Sequence, residues 1–408
     1  MRRHILILWI LCILPTLAFG MPIAEPLPPA QHDLQGSLAF GSSVRQFSDK
    51  LFLDGLGQDA NRMISPLSAL LVLAMSANGA EGETQREMIE VLTEGHLDKD
   101  ALNRESLFYL SRLPEEVSIA NSLWVNQRLS LSQAFEREAK HYYQAEAAGL
   151  DFSKASSAKR INDWVSKATR NAIDSIIDAT REDMVLYLIN AISFKDDWKS
   201  PFEATATAKR TFHAKSGDVR APFLNQTGFF PYASIDGASL LTLPYQNERY
   251  TMVLLLPDEE TDITTYLEGW NDSRFSSFLL DQAKQSKHTR VRLSLPKFES
   301  TYKDSLVDNL SRLGMRECFN PMQADFSALL SPSSKEVVID EVLHKTFIRV
   351  DEQGTEAAAV TAVMMRATSM APQDELVLIF DRPFFYAILD LEAHIPLFLG
   401  VLDSPQLR

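Results

Sequence analysis

Cysteine is almost absent. The 408-residue chain has two, and Cys12 falls inside an amino-terminal apolar run, which leaves Cys318 alone in the remainder. An internal disulfide is thereby excluded once that run is removed, so stability must come from a large buried core, which this length permits. Cys318 sits between Glu317 and Phe319 with no histidine close in sequence, the context of a partly buried structural thiol rather than a nucleophile. Basic residues are also short: 40 Lys and Arg against 54 Asp and Glu give a formal charge of −14. That balance opposes attraction to a phosphate backbone or an anionic bilayer, so neither nucleic acid nor membrane is expected as a partner. Other absences concern chemistry. No two histidines lie four apart, and there is no Cys-x-x-Cys, no phosphate loop ending in Gly-Lys-Ser/Thr and no Gly-x-Ser-x-Gly elbow. The run from Gly55 through Gly57 to Ala60 imitates a dinucleotide fingerprint, but it follows a helical pattern and opens no strand–helix–strand unit. Carboxylate pairs are plentiful, yet any acidic chain of this size contains them. The expectation is a protein without enzymatic activity, cofactor or metal.

What is present begins with Arg2 and Arg3, then an apolar run from Ile5 to Leu17, then Ala18-Phe19-Gly20. This reads as a secretory signal over 1–20, too short and too interrupted by Pro15 for a bilayer span of roughly 20 residues. Residues 21–35 carry four prolines and no periodicity, a flexible leader. From 36 to 408 no linker or repeat appears, so a single domain is expected in an extracellular, secreted protein. Asn225, Asn271 and Asn309 open glycosylation triplets, usable only where exposed.

Helical spacing is clearest at Phe40, Val44, Phe47 and Leu51. Ser65 can cap a helix with Pro66 in its first turn, and Leu67 to Ala77 is apolar nearly all round, the mark of a central buried helix ended by Gly79. Thr84 to Glu87 has the form of a capping box. Strands are expected over Val117–Val125, Val185–Ile189, Thr251–Leu256, Val291–Leu295 and Val337–Val350, with helices over Phe135–Ala147, Ala158–Ile173 and Thr264–Leu280 among them. The order does not alternate regularly, which favours α+β over a wound α/β fold.

One segment stands apart. Glu352 to Pro372 is long, small in side chain and poor in charge, lying between strand-like runs Thr346–Asp351 and Glu375–Phe380. A connection of this length inside a compact domain is uncommon and usually functional. An alanine-rich helix is the local alternative. At period two, one face carries Thr355, Ala357, Ala359, Thr361 and Val363, small and uncharged, so the segment can exist outside a sheet and also within one; Lys or Arg at Thr355 or Ala357 would bring an unpaired charge inside.

These residues resemble the serpin family, and the resemblance covers nearly the whole chain after the signal. Gly354-Thr355-Glu356-Ala357-Ala358-Ala359 is similar to the hinge of an inhibitory serpin's reactive loop, here about 352–374. Leu378 to Ile388 resembles the family's carboxy-terminal signature. Asn190 to Lys195 with Trp198, Pro201 and Phe202, then Leu295 to Phe298, then Leu313 to Met315 and Ala324 to Ser327, match as well. The resemblance implies three β-sheets, eight or nine helices and an exposed reactive-centre loop. It also implies the mechanism: a serine protease cleaves the loop, is held as an acyl-enzyme, and is carried away as the loop inserts into the central sheet, a standard instance of strand addition and strain release.

By alignment with the family, Ser65, Ser68, Asn190 and His344 form a polar cluster where strands part, and Trp198, Lys297 and Glu352 lie near the top of the opening; locally each also reads as a cap, a strand-end amide, a satisfied histidine or simple core. Family spacing from Glu352 puts the bait bond at Thr368-Ser369, with Arg366, Met370 and Met365 as alternatives. The partner implied is a trypsin-like or a chymotrypsin- or elastase-like serine protease, met by a monomer. Thr93 to Arg112 mixes both charges, so heparin activation is not expected. A non-inhibitory serpin, acting as carrier, storage protein or protease substrate, is the competing reading, motivated by threonine as bait.

Overall fold

The computed structural model describes residues 34–57, 61–270, 274–333, 337–355 and 375–406. The signal, most of the leader, Asn271, and the loop from Glu356 through Met365, Arg366, Thr368, Ser369 and Met370 lie outside the described residues. So does the end of the glycine-rich imitation at 58–60.

The Phe40-Val44-Phe47-Leu51 face forms α1 (Leu34–Asp54), which starts two residues inside the expected leader. After β1 (Met63–Ile64) comes α2 (Pro66–Ala77), buried along its whole length as its all-apolar sequence requires. α3 (Gly82–Thr93) is not opened by a capping box. Its cap residue is Glu81, and Thr84, already in the first turn, instead bonds outward to Glu317 and accepts from the Asp325 N–H. α4 (Lys99–Leu110) precedes β2 (Val117–Asn126), α5 (Gln133–Tyr143) and β3 (Glu146–Leu150). The helix expected to reach Ala147 therefore stops at a left-handed Gln144, and Ala147 is in a strand. α6 (Ala155–Ala168) likewise ends before Ile173.

Most strands follow: β4 (Leu186–Phe194), β5 (Asp196–Asp197), β6 (Ala208–Ala214), β7 (Gly217–Ile235), β8 (Ala238–Pro244) and β9 (Tyr250–Pro257). The single helix expected over Thr264–Leu280 is two, α7 (Ile263–Glu268) and α8 (Phe275–Gln285), parted after Gly269. Then come β10 (Lys287–Pro296), β11 (Phe298–Ser305), α9 (Val307–Arg312) and β12 (Glu341–Val350), the last without the expected Val337–Asp340. β13 (Gly354–Thr355), β14 (Leu376–Ile379), β15 (Phe384–Asp390) and β16 (Ile395–Leu402) complete the described residues.

These strands pair into a seven-stranded sheet, β3-β2-β4-β12-β13-β5 with β11 on β12, and a nine-stranded sheet, β1-β16-β15-β9-β8-β7-β10-β14 with β6 on β7. The long β7 explains why two networks hold three layers. Its first residues pair with β6, its middle with β10 and its last with β8, so one strand passes from a small layer (β6, β7, β10, β14) into a buried one (β7, β8, β9, β15, β16). The fold is α+β with nine α-helices among the described residues, as the resemblance implies. α2 packs between the seven-stranded sheet and β16, which places its first turn directly beneath β4 and β12.

Candidate functional site

In the seven-stranded sheet β4 and β12 run parallel, paired from Tyr187↔Glu341 to Ser193↔Phe347. Every other contact of this sheet's long strands is antiparallel except that of the edge strand β3. A parallel pair at the centre of an otherwise antiparallel region marks a place where an intervening antiparallel strand would fit. At the top the two strands have parted, and β13 stands between them: Thr355 pairs with Val350 on one side and Asp196 on the other, both antiparallel.

The mouth is held by residues from five segments. Trp198 donates its indole N–H to the Asp351 carbonyl at 2.9 Å and its backbone N–H to Gln353 at 2.7 Å, and its ring stacks on Tyr245 with centroids 4.5 Å apart. The Tyr245 hydroxyl lies 2.7 Å from Thr355 Oγ1, and both residues are fully buried. Lys297 Nζ meets Glu352 Oε2 at 2.6 Å, while the Thr207 hydroxyl donates to Glu352 Oε1 at 2.8 Å. Burial raises the Glu352 carboxyl, but these two bonds outweigh it and hold the group below its ordinary range. Asp351 Oδ1 accepts from the Gln353 N–H, closing the turn that feeds Gly354 inward. Gly354 is fixed by sterics: a Cβ there would lie 2.1 Å from the Asp196 carbonyl oxygen. Burial, with Glu116 adding to it, pushes the Asp196 carboxyl up to about 6.

Below the mouth lies a seal. The Ser65 N–H donates to His344 Nε2 at 3.0 Å, which makes that nitrogen unprotonated and puts the ring hydrogen on Nδ1, 2.6 Å from Asn190 Oδ1. Asn190 Nδ2 donates to Asn121 Oδ1 at 2.6 Å, and to the Ser68 carbonyl and hydroxyl. His344 is fully buried, and burial with the nearby Arg62 cation lowers its pKa to about 3. It is therefore a neutral clasp bridging α2, β4 and β12. Ser65 serves through its backbone: contrary to the expected cap, its hydroxyl makes no cap bond and is buried without a partner.

Ser65, Ser68, Asn190 and His344 thus converge, as do Trp198, Lys297, Glu352, Gly354 and Thr355. Sequence reasoning missed Asn121, Tyr245 and Thr207. Asn121 carried a signal, being an amide inside the apolar strand β2; the other two show none. Of the glycosylation candidates, Asn309 is 2% exposed and donates to Asp54, whereas Asn225 is half-buried and its amide donates to the Ala206 and Phe223 carbonyls. Cys318 is buried, which raises its thiol pKa far out of the nucleophilic range. Among the described residues no cluster of His, Cys, Asp or Glu is arranged to hold a metal, and no helix is long and apolar enough to cross a membrane.

A central sheet with a parted mouth entered by Gly354 and Thr355, and a polar clasp below it, are the attributes of one class of protein. The chain belongs to the serpin family: the family model described as serpin (serine protease inhibitor) matches residues 42–405. An uncharacterized serpin-like protein of Thermococcus kodakarensis is 34% identical over 378 residues, covering 90% of this chain and 85% of that protein. Alpha-1-antiproteinase of Rattus norvegicus is 30% identical, with 99% and 98% covered. Among solved structures, tengpin, a thermophilic serpin in its native state, superposes with a TM-score of 0.82 at 34% identity, covering 93% of this chain and 97% of that one.

Proposed function

We propose that the chain is a secreted inhibitor of serine endopeptidases, working as a monomer through loop cleavage, acyl-enzyme trapping and loop insertion. The observation that carries this reading is β13. Gly354 and Thr355 already occupy the first two positions of a strand flanked on both sides by antiparallel neighbours. Continuing that strand replaces one parallel ladder by two antiparallel ones, which are the stronger kind per residue. Cleavage would free the segment to continue. The protease serine adds to the bait carbonyl, the peptide C–N bond breaks with a proton passing to the leaving amine, and the acyl ester travels with the inserting strand.

The bait bond in this reading is Thr368-Ser369, with Arg366, Met370 and Met365 as alternatives that suit trypsin-like or chymotrypsin- and elastase-like pockets. The secretory signal at 1–20 supports an extracellular site of action, and Asn225 and Asn271 remain glycan candidates. Heparin activation is not part of the proposal, because α4 carries no basic stripe.

The test is to incubate the intact protein with proteases of each class, follow complexes on a denaturing gel and weigh the released carboxy-terminal peptide. An SDS-resistant complex with a peptide starting at Ser369 is expected. A loop cut cleanly with no complex and no gain in heat resistance would overturn the proposal in favour of a non-inhibitory serpin.

A further inference from the structure

Strand alternation puts His288, Arg290 and Arg292 on one face of β10, with Val291 and Leu293 buried on the other. The pairing register extends this outward face to both neighbours. Phe229 of β7 is level with Arg290, Thr227 with Arg292, and Val377 of β14 with Arg292. Phe229 is 54% and Val377 51% exposed. The other large apolar side chains this exposed are Leu34, Leu38 and Met322, so this small sheet carries two of the five among the described residues. Beside Phe229 and His288 lies a cavity of about 210 Å³ walled by Trp198, Phe202, Phe230, Leu243 and Pro244, enough for a single apolar side chain.

The charge is as local as the apolar surface. From Lys284 to Arg292 the chain places Lys284, Lys287, His288, Arg290 and Arg292 without an acid, in a protein whose net charge is −14. Glu375 pairs with both Arg290 and Arg292. It is the first described residue after the bait segment, so the two arginines grip the far stem of the loop on this same face.

We propose that the outward face of β7, β10 and β14 is a second docking surface for the protease that attacks the bait segment, receiving an apolar and acidic flank beside that enzyme's cleft. This rests on the bait reading of the loop. Reach supports the assignment. From Ser369 to Glu375 is six residues, at most about 20 Å when extended. A protease domain of about 200 residues has a radius of gyration of about 16 Å, so a protease seated on the bait bond overhangs Phe229 and Val377. Arg290 and Arg292 outnumber Glu375 on this face, which favours an acidic flank and would speed encounter at low salt.

The readout is the second-order rate of loop cleavage, followed by mass spectrometry, because cleavage occurs whether or not a complex is trapped. Phe229→Ser with Val377→Ser spares the arginine grip on Glu375. With the protease that cuts the loop fastest, this variant is expected to be cut at least tenfold more slowly, with an unchanged melting temperature. A synthetic peptide of residues 352–374 should be cut at the same slow rate. Should the double variant fold poorly, His288→Glu on the same outward face supplies a second test, with cleavage a few-fold slower and less sensitive to NaCl. Equal cleavage of variant and wild type, within twofold, overturns the surface. So does heparin acceleration lost in His288→Glu but intact in the serine variant, which would assign the strip to a polyanion. Platform-dependent cleavage without a trapped complex would sustain this surface while sinking the inhibitor reading.

Discussion

The top and the middle of one gap are built on opposite terms. At the mouth β5 and β12 have separated, the space holds Gly354 and Thr355, and the contacts are a stacked Trp198-Tyr245 pair, single hydrogen bonds such as Tyr245 to Thr355, and a partly solvated ion pair. About 20 Å of strand below, β4 and β12 touch, and the contact is a buried hydrogen-bond chain from Ser65 through His344 and Asn190 to Asn121 and Ser68. Apolar stacking tolerates sliding and partial occupation. A buried polar chain is either complete or costly, because each orphaned group loses a partner with no water to replace it. If the loop inserts as proposed, opening would start at the mouth and meet its resistance at the clasp.

The largest effect should come from disturbing the mouth's occupant. Thr355→Arg places a cation at a fully buried position, so insertion should fail while cleavage proceeds. The expected result is loss of the SDS-resistant complex and a stoichiometry of inhibition raised more than tenfold, measured by titration against the protease. Unimpaired complex formation would mean that Thr355 does not lead the inserting strand. Next comes the clasp. His344→Ala orphans the Ser65 N–H and the Asn190 carbonyl, at a cost of about 2–4 kcal/mol in urea unfolding, and should raise spontaneous loop insertion on warming.

The same histidine gives a pH test. With a pKa near 3 folded against about 6.5 unfolded, the unfolded chain binds the extra proton between those values. The His344 contribution to stability is thus present above about pH 6.5 and lost as pH falls toward 3, and the variant should show a flatter profile over that window in thermal melts. The smallest effect belongs to the ion pair at the mouth. Glu352→Gln should cost about 1 kcal/mol or less at pH 7, since Lys297 and Glu352 remain partly solvated, with the difference from wild type vanishing as Glu352 protonates below its ordinary range. A loss as large as that of His344→Ala would erase the contrast between the two levels.

The two levels also differ in how far they could be read from sequence. The all-apolar run at Leu67 to Ala77 announces a buried helix, and the short continuous aliphatic run Thr251 to Leu256 announces a buried strand, because both are legible in the local run of side chains. The break at Gly269 carries a local signal, a helix-stopping glycine ahead of Asn271-Asp272-Ser273, whereas the left-handed Gln144 that ends α5 carries none. Ser65, Ser68, Asn190 and His344 came into view only through family resemblance. Nothing about residues 65, 190 and 344 is local to one another, and their meeting depends on the parallel register of β4 and β12 above α2. Tyr245 and Thr207 belong to this second kind as well, brought to the mouth by loops whose path no periodicity encodes.

The register of β13 has an arithmetic of its own. Stepping down both walls from the Thr355 pairs with Val350 and Asp196 brings Thr361 level with His344 on one side and Asn190 on the other. Those two residues now bond to each other, yet neighbours across an added strand stand about 9.6 Å apart, twice the spacing of adjacent strands. The incoming threonine would thus arrive where both former partners have been freed, with a hydroxyl able to donate to one and accept from the other. The lock, in other words, is cut to be reclosed around its own key, an outcome that a structure of the cleaved protein would display at residue 361.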